Sequence, residues 1–380
     1  MEASRKTAQI ERRTNLNWVL VRATSDSHLR SVETPMPTTT TVASGPHRSV
    51  RVGTAQVDLG NALALYGSWP SPTTIVVDGP YGVGGFPGDP PTPHELATWY
   101  APHAAEWAQH SLPETTLWFW GTEVGWATVH PVLDLHGWEY RGLHIWDKGV
   151  AHVAGNVNGR TIRGFPIVTE VCARYVRRVE FEGEDGEVLT MRQWLRAEWV
   201  RSGLPLYRTN EACGVANAAT RKYFTQDHVW YFPPAPMMGL LAAYAQKHGR
   251  ETTRPYFSLD GCSPLDAEQW SRMRAKWHHT HGVTNVWREN AVRGAERLKK
   301  GRTRALHANQ KPLALMERMV LASSDPGDVI WEPFGGLCTG ALAAARHARP
   351  SYSAEIAPDF FDEAVGRLND ELSIARVADA

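Results

Sequence analysis

The sequence is poor in cysteine, carries no excess of charge and contains no long apolar run. Its four cysteines, Cys172, Cys213, Cys262 and Cys338, stand singly among 380 residues. Their spacing forms no metal-type pair, so no metal site is expected and reduced thiols are the simplest reading. Lysine and arginine together number 40, as do aspartate and glutamate, for a formal charge of zero. That balance excludes a polycation that coats nucleic acid through bulk charge, but not a local basic groove. No apolar stretch approaches the roughly 20 residues that span a bilayer, so no membrane association is expected. The opening MEASRKTAQIERRTN lacks the apolar segment of a signal peptide, and a cytoplasmic protein is expected. What the chain holds in quantity is tryptophan, 16 residues of it, a stock that suits either a large core or stacking on bases.

Residues 1–49 are polar and include the low-complexity stretch MPTTTTVASGP, so a partly disordered arm is expected, with 17–23 (NWVLVRA) as an edge-strand candidate. From 50 to 180 the pattern is α/β. Strands are expected at 50–57, 73–78, 115–121, 138–146 and 168–176, and helices at 93–110 and 122–136. After the acidic turn EFEGEDGE, residues 181–285 are helical and aromatic-rich and read as a smaller inserted domain. From 286 to 380 the α/β pattern returns, with a helix at 311–323 and a strand at 328–332. A further helix near 338–347, a strand at 351–356 and a C-terminal helix at 358–373 complete it. Phe361, Ala364, Val365 and Leu368 share one face of that last helix. Helices alternating with short apolar strands predict a doubly wound, mostly parallel, Rossmann-like sheet, with the inserted domain mainly helical.

Two stretches carry chemistry. In TTIVVDGPYGVGG (73–85) a β-branched strand stops at Asp78, followed by Gly79, Pro80 and Tyr81. By itself this is also the composition of a β-turn. In VIWEPFGGLCTGALAAA (329–345) a strand ends on Glu332, Pro333 and Phe334 turn the chain, and Gly335 and Gly336 allow close backbone approach. An alanine-rich helix then begins with its amide dipole facing the loop. One strand further on, Glu355 stands where an acid commonly accepts ribose hydroxyls. The turn lacks the Gly-Lys-Ser/Thr ending of a phosphate loop, and Glu332 would repel a pyrophosphate while accepting an ammonium. A cationic nucleoside fits these groups, and S-adenosylmethionine carries both a sulfonium and an ammonium.

Taken together and in order, VDGPYG (77–82), HANQKPLALMERMV (307–320) and WEPFGGLCTG (331–340) resemble the beta-class amino-group DNA methyltransferases, which transfer methyl to adenine N6 or cytosine N4. The resemblance covers about residues 50–180 and 285–372. It implies that Asp78, Gly79, Pro80 and Tyr81 form the catalytic tetrapeptide. It places Gln310, Lys311 and Pro312 around the methionine end of S-adenosylmethionine. Glu332, Pro333, Phe334, Gly335 and Gly336 match the cofactor turn, Glu355 the ribose-binding acid, and Asp58 a motif near the cofactor's adenine. It further implies double-stranded DNA as substrate, a flipped target base and 181–285 as the target-recognition domain. Asp78 leans the target towards adenine N6 over cytosine N4. A cognate restriction endonuclease stays open as a partner, and a catalytically silent DNA-binding regulator stays open as another class. The departures are Gly79 for proline, Glu332 for aspartate, Cys338 for the second glycine and Gly340 for threonine. A positive φ at 338 would strain a cysteine.

Within 203–232 two short helices joined at Cys213-Gly214-Val215 are expected. The second, Ala216 to Phe224, carries Asn217, Thr220, Arg221 and Lys222. A helix-turn-helix reading base edges fits this, and so does a small helical subdomain with solvated charges. Lys299, Lys300 and Arg302, and the basic run at 174–178, are candidates for phosphate contacts. Asp147, Lys148 and Glu170 are either near the target pocket or surface pairs.

Overall fold

The computed structural model describes residues 48–378 apart from 87, 154–160, 184, 295, 301–303 and 308. The expected arm up to residue 47, with its strand at 17–23, lies outside the described residues. The chain divides into two units, one made of Val42–Arg178 with Arg272–Ala380, the other containing Val179–Ser271.

In the larger unit, short β-branched and aromatic runs pair into a nine-stranded sheet. Its strands are β1 (Arg48–Val52), β2 (Ala55–Leu59), β3 (Thr74–Val77), β4 (Thr116–Gly121), β5 (Trp138–Asp147), β6 (Thr169–Arg177), β9 (Val286–Arg288), β12 (Ile330–Glu332) and β13 (Ser351–Glu355). A separate two-stranded ribbon joins β10 (Lys299–Lys300) to β11 (Arg304–Ala305). The order is β1-β2-β13-β12-β3-β4-β6-β5-β9. Pairing is parallel from β2 through β13, β12 and β3 to β4. It is antiparallel for β1 with β2 and for β6 with β4 and β5, while β9 runs parallel to β5. The single strand expected at 50–57 is instead a β1–β2 hairpin, because Gly53 at φ 59° reverses the chain.

Helices cover both faces. On one lie α1 (Leu96–His110) and α2 (Glu123–Leu135), on the other α8 (Leu313–Ser323), α9 (Thr339–Arg346) and α10 (Pro358–Ala378). Strand β4 shows why. Leu117 and Phe119 enter the core under α1 and α2, while Trp118 and Trp120 enter the core under α8 and α9, the period-two alternation of a sheet buried on both sides. Trp107, Trp118, Trp120, Trp138 and Trp331 are fully buried, so much of the tryptophan stock is core. Trp331 stacks on Tyr66 with centroids 5.3 Å apart and donates its indole N–H to the Pro70 carbonyl. From β12 the chain winds through α9 to β13, and from β3 it winds through α1 to β4 on the other side. The carboxyl ends of β12 and β3 therefore flank the switch point, where a crevice opens.

Among the described residues the smaller unit holds the antiparallel pair β7 (Glu180–Glu182) and β8 (Val188–Thr190) and the helices α3 (Met191–Arg201), α4 (Arg208–Ala212), α5 (Ala218–Tyr223), α6 (Ala235–His248) and α7 (Ala267–Ser271). Its core stacks Phe181 on Trp194 and Phe232 on Trp270, each at 4.5 Å. The buried Glu198 carboxylate is met by Arg201, Arg254 and the Phe257 N–H. Residues 272–285, expected in the inserted segment, belong to the larger unit. Arg272 pairs with Glu114 at 2.9 Å, Lys276 with Asp328 at 2.7 Å, and Asn285 leads into β9. Among the described residues no helix is long and apolar enough to cross a membrane.

Candidate active site

The crevice at the switch point is a cavity of about 510 Å³, within the range of small-molecule sites. Four strand ends supply its walls, Gly60 and Asn61 after β2, Asp78 after β3, Glu332 from β12 and Glu355 from β13. Asp78, Gly79, Pro80, Tyr81, Gln310, Lys311, Glu332, Pro333, Phe334, Gly335, Gly336 and Glu355 all line this one cavity. Two expected residues do not. Asp58 is buried within β2, where its carboxylate accepts the Trp69 indole N–H at 2.9 Å and the Gln56 amide. Pro312 stands at the N-cap of α8, shaping the helix start.

Burial governs the β12 turn. Glu332 accepts the Gly340 and Ala341 N–H groups at 2.7 and 2.9 Å and the Ser353 hydroxyl at 3.2 Å, so it caps α9 from below. Burial nonetheless pushes its carboxyl up to about 7. A Cβ on Gly340 would come within 2.8 Å of the Glu332 carboxylate, which accounts for glycine at that position. Gly336 and Cys338 both sit at φ 51°, and the left-handed backbone at Cys338 costs about 1–2 kcal/mol relative to glycine. Glu355 accepts the Gly336 and Ala357 N–H groups at 2.7 and 2.8 Å, tying β13 to the turn, and burial raises its carboxyl too.

At the other wall the turn after β3 is pinned by charge. Lys311, 1% exposed, places Nζ 2.7 Å from Asp78 Oδ1, 3.2 Å from Glu170 Oε2 and 2.9 Å from the Tyr81 hydroxyl. Burial pulls its pKa down, but Asp78 and Glu170 outweigh that and hold the ammonium above its ordinary value. Lys148 pairs with the other Glu170 oxygen. Burial first, then the charges of Asp78 and Glu170, drive the Tyr81 phenol well above 10. Tyr100 donates to the Pro80 carbonyl at 3.0 Å, and the Asp89 carboxylate accepts the N–H groups of Gly82, Val83 and Gly85. A Cβ at Gly79 would lie 2.5 Å from Phe334 and 2.6 Å from the Tyr100 hydroxyl, so these two side chains fill the space that the family's proline would take.

The aromatic wall was not anticipated. Trp99 and His103 from α1, Phe86 beyond the turn that follows β3, His307, and Phe360 from α10 all line the cavity. His103 accepts from or donates to the Tyr66 hydroxyl at 2.8 Å, and His307 stacks on Phe86 at 4.7 Å. The i, i+4 spacing of Trp99 and His103 was the available signal; nothing local marks Phe86 or His307. Burial lowers both histidines to about 4.

The DNA-contact candidates separate. Thr220 faces inward, bonded to the Thr209 hydroxyl and the Leu206 carbonyl, so it holds α5 against α4. Asn217, Arg221 and Lys222 are exposed. Helix α5 starts at Ala218, two residues later than expected, with Asn217 as its N-cap. Lys299 is exposed on the β10–β11 ribbon, which Lys300 shares, and Arg302 lies outside the described residues. The run at 174–178 is committed to structure. Arg174 lies 4.0 Å over Trp277, Arg177 donates to the His136 and Gly137 carbonyls, and Arg178 pairs with Asp134.

Two outcomes follow from this packing. Gly79→Ala overpacks the turn and costs about 1–3 kcal/mol in urea unfolding, and Phe334→Leu in the same chain recovers part of it; a Gly79→Ala protein as stable as the parent would contradict the packing. His103 is neutral in the folded chain down to about 4, whereas the unfolded chain takes up the proton below about 6.5. Its contribution therefore falls as pH drops through that window, opposite in sense to Glu332, whose raised carboxyl weakens the fold as pH rises from about 4.5 to about 7. His103→Gln keeps an acceptor for Tyr66 and removes the titration. Its unfolding midpoint should fall less, or rise more, between about pH 7 and about pH 5 than that of the parent, because the opposing Glu332 contribution stays; an unchanged difference would clear His103 of the acid sensitivity.

Comparison with known proteins then places the chain. Type II methyltransferase M.ScaI of Streptomyces caespitosus is 40% identical over 89 residues, covering 23% of this chain and 29% of that protein. DNA adenine methyltransferase YhdJ of Escherichia coli (strain K12) is 38% identical over 63 residues, covering 17% of this chain and 21% of that protein. The matches thus span less than a third of these curated relatives. Among solved structures, the M1.HpyAVI–SAM complex aligns with TM-score 0.44 and 14% identity, over 83% of this chain and 99% of that one. A family profile described as DNA methylase, N6/N4 type, matches residues 73–366. The chain belongs to the N6/N4 DNA methylase family.

Proposed function

We propose that the protein transfers a methyl group from S-adenosylmethionine to the exocyclic amine of a base flipped out of double-stranded DNA, with adenine N6 favoured by the acid at 78. The observation that carries this reading is the single cavity in which Asp78 and Tyr81 from one end of the chain meet Gly335, Gly336 and Glu355 from the other.

The residues present suit this cofactor. The cavity's carboxylates favour a cation, and Lys311, whose ammonium lines it, is already paired with Asp78 and Glu170. The aromatic wall suits a sulfonium and an adenine ring. Among the described residues the buried Nδ1 of His307 has no hydrogen-bond partner, a polar atom that a ligand would satisfy. Glu355, Gly335 and Gly336 would hold the ribose side, with Gln310, Lys311 and Glu332 towards the amino-acid end. When bound, the cofactor supplies an already activated methyl group.

An exocyclic amine is a weak nucleophile because its lone pair is delocalised into the ring. Acceptors facing its protons stabilise the positive charge that develops on nitrogen. Lys311 and Tyr81 bond to Asp78 Oδ1, which favours Oδ2 as the acceptor for the incoming amine. Tyr100 already donates to the Pro80 carbonyl, which favours the Gly79 carbonyl as the second acceptor. The Tyr81 ring stacks on the base, worth about 1–3 kcal/mol towards the few kcal/mol that extrusion costs. In the smaller unit, Asn217 and Arg221 are the exposed side chains suited to reading adenine and guanine edges.

Labelled cofactor incubated with unmethylated genomic DNA, followed by digestion to nucleosides, should give label in N6-methyl-2′-deoxyadenosine. Label in N4-methyl-2′-deoxycytidine moves the target to cytosine, and no label leaves a silent DNA-binding protein. Asp78→Ala should lower transfer by at least about a hundredfold while calorimetry finds cofactor affinity within a few-fold of the parent; retained turnover would remove Asp78 from catalysis. Asn217→Ala with Arg221→Ala should relax the sequence that becomes methylated, and an unaltered site preference would dismiss α5 as the reading element.

A further inference from the structure

Glu170 and Lys148 lie outside the motifs that define the family, yet they complete a buried cluster around the catalytic turn. Glu170 is the second residue of β6, and Lys148 follows the last residue of β5. Their side chains are only 14% and 12% exposed. Glu170 Oε1 takes the Lys148 ammonium, while Oε2 faces Lys311 at 3.2 Å and the Tyr81 hydroxyl at 3.2 Å. The Tyr81 hydroxyl has one proton and two carboxylates in reach, Asp78 Oδ1 at 3.0 Å and Glu170 Oε2, and it accepts from Lys311. Two carboxylates and two ammoniums therefore balance to zero around one phenol.

That balance matters for the reaction proposed above, on which this inference rests. A buried ammonium facing Asp78 alone would neutralise the very charge that must stabilise a positive nitrogen, and would repel that nitrogen. A second carboxylate in contact with Lys311 shares the cation and offsets the repulsion. The same carboxylate gives the phenol a fixed partner, which limits how the ring can turn. We infer that Glu170, supported by Lys148, is a positioning residue for amine methylation. It holds Lys311 and the Tyr81 hydroxyl so that Asp78 keeps an oxygen and its charge for the amine, and the Tyr81 ring keeps one stacking orientation.

The test is a double-mutant cycle on the full chain, read as single-turnover methyl transfer to unmethylated genomic DNA, with cofactor affinity measured by calorimetry. Glu170→Gln and Tyr81→Phe should each slow transfer by about tenfold and leave cofactor affinity unchanged, and the double variant should be no slower than the slower single. Lys148→Met, which removes the outer partner and leaves Glu170 facing Lys311, should slow transfer less but show the same non-additivity with Tyr81→Phe. It carries the test if Glu170→Gln does not fold. Parent-like transfer by folded Glu170→Gln, or Lys148→Met in its place, overturns the inference, as do singles whose losses multiply in the double. A parent protein that transfers no methyl removes the functional reading and this inference with it, an outcome distinct from either of those.

Discussion

The ion pair between Lys311 and Asp78 is the constraint on which the site depends. It joins positions 233 residues apart in sequence and lies in the cavity wall, with the ammonium buried and the carboxylate partly so. A buried ammonium without its partners would carry a penalty of several kcal/mol, so the turn after β3 and the segment before α8 are bound to one arrangement. Each of the remaining polar groups at that wall, the Tyr81 hydroxyl, Glu170 and Lys148, is placed by its relation to this pair. The wall is thereby preorganised: its dipoles and charges are fixed by the fold before any ligand arrives.

The opposite wall solves a different problem. Glu332 sits where the backbone of α9 presents unsatisfied N–H groups, and it serves as the cap that the sequence otherwise lacks there. The cost is a carboxyl raised by burial and a glycine at 340 with no room for a side chain. Glu355 repeats the device one strand further on, gripping the Gly336 amide. Two acids thus spend much of their hydrogen-bonding capacity on holding a loop, and the loop in turn offers its glycine backbone to the cavity.

Much of this was legible in the sequence. The strands at 73–78, 115–121 and 351–356 and the helices at 93–110 and 311–323 follow from period and composition, which act locally. The acids ending β3, β12 and β13 were legible because a strand's end is marked by where its apolar run stops. What escaped depends on contacts between distant segments. The identity of the residue at 79 is set by Tyr100 and Phe334, and the committed hydrogen bonds of Asp58 are set by Trp69. The basic run at 174–178 reads from sequence as a candidate for phosphate contacts. Arg174 instead lies over the Trp277 ring, a partner more than a hundred residues away. Thr220 sits on the face of α5 that its neighbour α4 covers, which a six-residue helix is too short to reveal by periodicity.

The buried carboxylate of Glu198 sets the grain of the smaller unit for anyone wishing to exchange it between relatives. Its three partners come from 201, 254 and 257, so the segment that carries the exposed residues of α5 is enclosed by a single electrostatic knot. A graft cut inside that loop would leave an acid stranded in an aromatic core. One cut outside it, at the limits of 179 and 271, would carry charge and countercharge across together.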